Sequence, residues 1–198
     1  MSVRIALAIL FVLSACSRSR ARLESPEEQR AFLEQIATQR GDSSLTLSYF
    51  ALGNFTLDVR RYAIMVLGNR DPDHLSTMTL VAILTRGDED ESLRIQAGFS
   101  IGRSASRGAV PWLIELLGHE HDTIAVMSAS DALFEIGSPA VEQLLSVALS
   151  HGTTSVRMRA LQILKRIDDP RIRPRIQPLL GDPDGTVQQA ARWFLEAR

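Results

Sequence analysis

The sequence holds a single cysteine, Cys16, so no disulfide can close within one chain. It also lacks an excess of either charge, with 22 Lys plus Arg against 23 Asp plus Glu. That excludes the strongly basic surface with which nucleic-acid binders neutralise phosphates. Lysine is nearly absent, Lys165 being the only one. Aromatic residues make up 6%, with two Trp and two Tyr, which suits small-residue helix packing better than an aromatic-lined pocket. The longest apolar run covers residues 5–13, too short to cross a bilayer core of about 30 Å, which takes roughly 20 helical residues. No Gly-rich phosphate loop and no nucleophile elbow occurs. These absences leave no catalytic constellation, no cofactor and no small-molecule substrate to infer.

What is present is a repeat. An apolar residue stands four positions before an alanine at Val59 and Ala63, Leu93 and Ala97, Ala125 and Ala129, Val156 and Ala160, and Val187 and Ala191, at steps of 34, 32, 31 and 31 residues. Eight positions past each anchor stand Leu67, Ile101, Leu133, Leu164 and Leu195, which completes an apolar stripe at helical spacing. The alanine fits a place where first helices of successive units pack at about 8–10 Å. A Gly- or Asp-rich break follows each first helix: Gly68 with Pro72, Gly102 to Gly108, Gly137 with Pro139, and Asp168 with Pro170. Second helices then carry Leu80 and Leu84; Val110, Leu113, Ile114 and Leu117; Val141, Leu144, Leu145 and Leu149; and Ile176, Leu179 and Leu180. Residues 91–117 hold the clearest copy, with Gly102 and the Ser-Ala-Ser-Arg-Gly stretch at 104–108 expected to end its first helix. Upstream, Ser25-Pro26-Glu27-Glu28 reads as an N-cap with acids in the first turn. The expected fold is all-α, a right-handed α-solenoid over 25–198 of about five helical hairpins plus a terminal helix. Its irregular capping repeat covers 25–56 and its regular repeats 57–198.

The first sixteen residues follow another pattern. Arg4 precedes the apolar run, and Leu13-Ser14-Ala15-Cys16 resembles the lipobox of a bacterial lipoprotein signal peptide. The resemblance implies removal of residues 1–15, acylation of Cys16 and membrane attachment through two or three acyl chains; an uncleaved anchor or an ordinary signal peptide is the alternative. Residues 16–24 then form a polar, basic tether. Ser17, where the sorting rule of enteric bacteria would need Asp for inner-membrane retention, implies the outer membrane, facing the periplasm.

The copies LRIQAGFSIG with GAVPWLIELL, and VRMRALQILKRIDDP with GDPDGTVQQAA, resemble HEAT repeats of the short type found in phycobilin-lyase-like proteins. Such arrays serve as scaffolds, so the resemblance implies a fold more sharply than an activity. The family's ladder of a turn acid and a helix arginine is matched by Asp88 with Arg94, whereas Val126 and Gln188 take the arginine's place in other copies.

Two function classes remain open, besides a purely structural lipoprotein. The first is a membrane-tethered interaction scaffold of the cell envelope, holding a protein partner on the face lined by second helices. There Trp112, Gln143 and Arg175 fall one position before core residues Leu113, Leu144 and Ile176, with Glu115 and Ser146 three residues after the first two. Such a column has hot-spot composition, unless Trp112 instead packs between neighbouring second helices. The second class is a metal-dependent enzyme resembling the iron hydroxylases of the HEAT type. His119, Glu120 and His121 are its only candidates, and one His-Glu pair is too few for an octahedral iron site. The acidic turns at 87–91 and 182–185 lack the spread of oxygen ligands that calcium needs and read as turns that cap helices.

Overall fold

The computed structural model describes residues 23, 25–38 and 43–196. The expected signal peptide at 1–15, Cys16 and, apart from residue 23, the expected tether at 16–24 lie outside them. Among the described residues every regular element is a helix, which places the chain in the all-α, α-solenoid class. The elements are α1 Pro26–Thr38, α2 Ser44–Leu52, α3 Leu57–Gly68, α4 His74–Thr85, α5 Glu91–Arg103, α6 Val110–Leu116, α7 Thr123–Ile136, α8 Val141–Ser150, α9 Thr154–Ile167, α10 Ile172–Ile176 and α11 Gly185–Glu196. The chain divides into two compact units between Ser104 and Ala105. That boundary falls inside the copy at residues 91–117, whose first helix closes one unit and whose second opens the next.

In the first unit α3 packs on α1 and α5 in one layer, and α2 and α4 form the other. Ala63 and Ala97 are fully buried, as are Ile64, Leu93 and Ile101. Gly68 ends α3 against Ser100 of α5, so closely that a Cβ on residue 68 would lie 2.5 Å from the Ser100 Cβ. Only glycine fits that crossing. The α2–α4 contact is rich in hydroxyls: Thr79 donates to Ser48 Oγ at 2.8 Å, and Ser44 bonds Asp73. Asp73 in turn heads α4 in a reciprocal capping box with Ser76. Burial acts to raise the Asp73 carboxyl, but the Ser44 and Ser76 hydrogen bonds outweigh it and hold the group below its ordinary value. Tyr49, Phe50 and Phe55 meet at centroid distances of 4.6–5.6 Å, with Phe32 at 6.1 Å from Phe50, so an aromatic cluster joins α1 and α2.

In the second unit first helices α7, α9 and α11 pack in order, and second helices α6, α8 and α10 line the other layer. Ala129, Ala160 and Ala191 are all fully buried. Short 3-10 turns at Arg107–Ala109 and Ser138–Ala140 lead into α6 and α8. The last second helix differs from expectation. Pro174 and Pro178 each remove an N–H, so α10 has five residues and passes into a 3-10 turn at Gln177–Gly181. Leu180, expected in the core, is exposed there. Leu195 is only half-buried, and Phe194 takes its core place. Ile114 is half-buried as well, whereas Leu116 is buried. α5 runs one residue past Gly102, which is buried within it, and the reversal comes in the stretch that follows, at Ala105 with φ 50°.

Buried and half-buried arginines tie the layers together. Arg60 Nε donates to the Ala51 carbonyl at 2.9 Å, Arg94 Nε to Leu84 at 3.0 Å and Arg157 Nε to Ala148 at 2.9 Å. Each closes the orphan C-terminal carbonyls of the preceding second helix. The guanidinium of Arg60 then takes Glu89 in a two-pronged pair at 2.9 and 2.6 Å, and that of Arg157 takes Asp182. The turn acid that serves the ladder after α4 is therefore Glu89, while Asp88 is exposed and pairs with Arg86 at 3.5 Å. Where Val126 replaces the arginine, the corresponding carbonyl of Leu117 accepts from Arg159 of α9.

Candidate functional site

With the core side of the second helices fixed by Val110, Leu113, Leu144, Leu145 and Ile176, all fully buried, their opposite side faces solvent. Trp112 follows Pro111 in the first turn of α6 and is 36% exposed. Glu115 is exposed three residues on, and Gln143 and Ser146 are exposed on α8. Arg175 is exposed on α10 and donates to Glu142 Oε2 at 3.2 Å. Trp112 therefore reaches solvent from α6 with about a third of its surface, the remainder being covered. Since α8 packs on both α6 and α10, these side chains fall on three consecutive elements of one layer.

Two members of this surface were not singled out in the sequence. Glu142 carries Arg175 and also Arg171, at 3.9 Å. Arg171 is anchored further by Asp169 at 2.7 and 2.8 Å and by the Ser138 carbonyl at 3.2 Å. The Arg171 guanidinium, with its backbone N–H and the Ser138 hydroxyl, holds the Asp169 carboxyl far below the usual carboxylate range. The signal was available as Arg171-x-Arg173-x-Arg175, but which arginine meets Glu142 depends on how α10 is broken by its prolines.

His119, Glu120 and His121 sit in the exposed turn between α6 and α7. Glu120 accepts from the Ser155 hydroxyl at 2.8 Å, and Asp122 caps α7 through the Ala125 N–H at 3.0 Å. The structure adds His151, which lines the same open cavity of about 500 Å³; its Nδ1 accepts from the Thr153 N–H at 3.1 Å. Among the described residues no three His, Cys, Asp or Glu side chains converge closely enough to hold a metal ion. The other acidic turns are engaged in the same way. Asp90 caps α5 through Ser92 and Leu93, and Asp184 caps α11 through Thr186 and Val187.

Comparison with known proteins follows the same line. No curated protein matches the sequence. Among solved structures, the chain is similar to the complex of CpcE and CpcF of phycocyanin lyase from Nostoc sp. PCC7120, with 24% identity and a TM-score of 0.44 over 80% of this chain and 68% of that one. The family model for HEAT repeats matches residues 77–152 and 141–198. Those two matches run through more than half of the chain and through all of its regular second unit, and the protein belongs to the HEAT-repeat family.

Proposed function

We propose that this HEAT-repeat chain is an interaction scaffold of the bacterial cell envelope, tethered through lipidated Cys16 and holding a protein partner on the exposed second-helix face of its second unit. The observation that carries the reading is the column of Trp112, Glu115, Gln143, Ser146 and Arg175. An indole and a guanidinium reach solvent there from second helices, the residue types in which interface energy concentrates. The tether rests on Leu13-Ser14-Ala15-Cys16, and Ser17 directs the anchored protein to the periplasmic face of the outer membrane.

Two experiments address the two halves. A photoreactive residue in place of Gln143, at the centre of the column, is expected to give a discrete crosslinked adduct in intact cells, whereas the same residue at Gln162, exposed on α9 in the other layer, gives none. Adducts of equal yield from both positions would count against the face. Replacing Cys16 with Ser is expected to leave an unprocessed precursor that no longer partitions into the detergent phase. Unchanged partition with unchanged mobility would remove the anchor.

A further inference from the structure

The charges on the second-helix face are not scattered. On α6, the exposed Trp112 ring and the Glu115 carboxylate lie three residues apart on one side of the helix, where i and i+3 side chains are neighbours. An indole face beside a carboxylate is a receptor for a cation, combining the ring's attraction for positive charge with an ion pair. Glu115 takes no part in the pairs that hold Glu142, Arg171 and Arg175. At the far side of the strip the sign reverses. Two guanidinium groups, from Arg171 and Arg175, share the single Glu142 carboxylate. Arg175 spends one nitrogen on it while its side chain stays 50% exposed. A guanidinium has five N–H donors, so this contact leaves donors for a second carboxylate, the bidentate acceptor that arginine suits best. Between the two ends, α8 presents the neutral Gln143 and Ser146, whose amide and hydroxyl groups can meet a peptide backbone.

We propose that the strip receives an extended peptide segment bearing opposite charges at a fixed spacing: a lysine or arginine on Trp112 and Glu115, and an aspartate or glutamate on Arg175. The inference rests on the interaction-surface reading above and adds the chemistry of the partner. The spacing follows from the fold. Two steps between neighbouring helices at about 8–10 Å each span roughly 16–20 Å, which an extended chain covers in about six residues. Complementarity of this kind selects register as well as partner, because like charges brought together at either end are penalised.

The test uses the full chain in detergent micelles and four fluorescein-labelled decapeptides of alanine and serine background. One carries Lys and Glu six positions apart, one carries them adjacent, one has Lys at both positions and one has Glu at both. Fluorescence anisotropy at low salt is expected to show the spaced Lys/Glu peptide binding about tenfold more tightly than each of the others. Glu115→Lys is expected to move the preference to the Glu/Glu peptide, and Arg175→Glu to the Lys/Lys peptide, both with the wild-type melting temperature because both side chains are exposed. Affinities equal within twofold across the four peptides, or a rank order unchanged by the two charge reversals, overturn the proposal. If Gln143 still crosslinks a partner in that case, the interaction surface stands and only its charge pattern is wrong; if that crosslink is absent too, the surface itself is removed.

Discussion

Ala160→Asp is expected to abolish cooperative melting of the second unit. Ala160 is fully buried in α9, which packs against α7, α8 and α11, so the new carboxylate would have neither water nor a cation. Burying an unpaired charge costs at least about 3 kcal/mol after pKa adjustment, a large share of the 5–15 kcal/mol that holds a typical domain. The carboxylate's pKa would rise, so the damage should ease at acidic pH, where the aspartic acid is neutral. Differential scanning calorimetry of wild type and variant at neutral and acidic pH checks this. A wild-type transition at neutral pH would show that the repeat register is wrong.

Arg157→Ala is expected to come next in severity. It strips the Ala148 carbonyl of its donor and leaves Asp182, whose side chain is only 6% exposed, without its cation. Leaving a part-buried polar group without its partner typically costs about 1–3 kcal/mol. The pair also predicts a pH dependence. The Arg157 hydrogen bonds hold the Asp182 carboxyl below its ordinary value. A group with a depressed folded pKa contributes its stability above the unfolded value, about 3.9 for aspartate, and loses it as pH falls through the folded value. Wild-type melting temperature is therefore expected to drop on acidification below about pH 4, and Arg157→Ala to drop less over the same range. Parallel pH profiles for the two proteins would place the stabilising role of Asp182 elsewhere.

The alanine register was legible because it is a local rule: one small residue per first helix, at a step of 31–34 residues, in a position that geometry keeps small. Every such alanine is fully buried. The arginine ladder was half legible. Its arginines occupy one repeat position, but the acid that answers Arg60 is Glu89, 29 residues away in the next turn, and adjacent Asp88 has the same chemistry. Only the direction of the turn decides between them. The replacement of the missing rung at Val126 by Arg159 could not be read from one repeat, because the donor comes from the following first helix. Gly102 lies buried inside α5, which runs on to Arg103, and the left-handed φ falls at Ala105. At Asp168 the left-handed φ of 52° likewise falls on a residue that is not glycine. In the candidate site, the five column residues follow from the helical period alone. Glu142, Arg171 and His151 do not, since their places depend on how short, proline-broken elements meet across repeats.

The central claim, that the second-helix face holds a partner, is tested most directly by capture from crosslinked membranes with wild type, Trp112→Ala and Arg175→Glu, each paired with its melting curve. The predicted result is loss of the Gln143-crosslinked partner in both variants, at a melting temperature within a few degrees of wild type. Undiminished capture by both variants, or a destabilised Trp112→Ala that still captures the partner, would contradict the account and return Trp112 to the packing between helices.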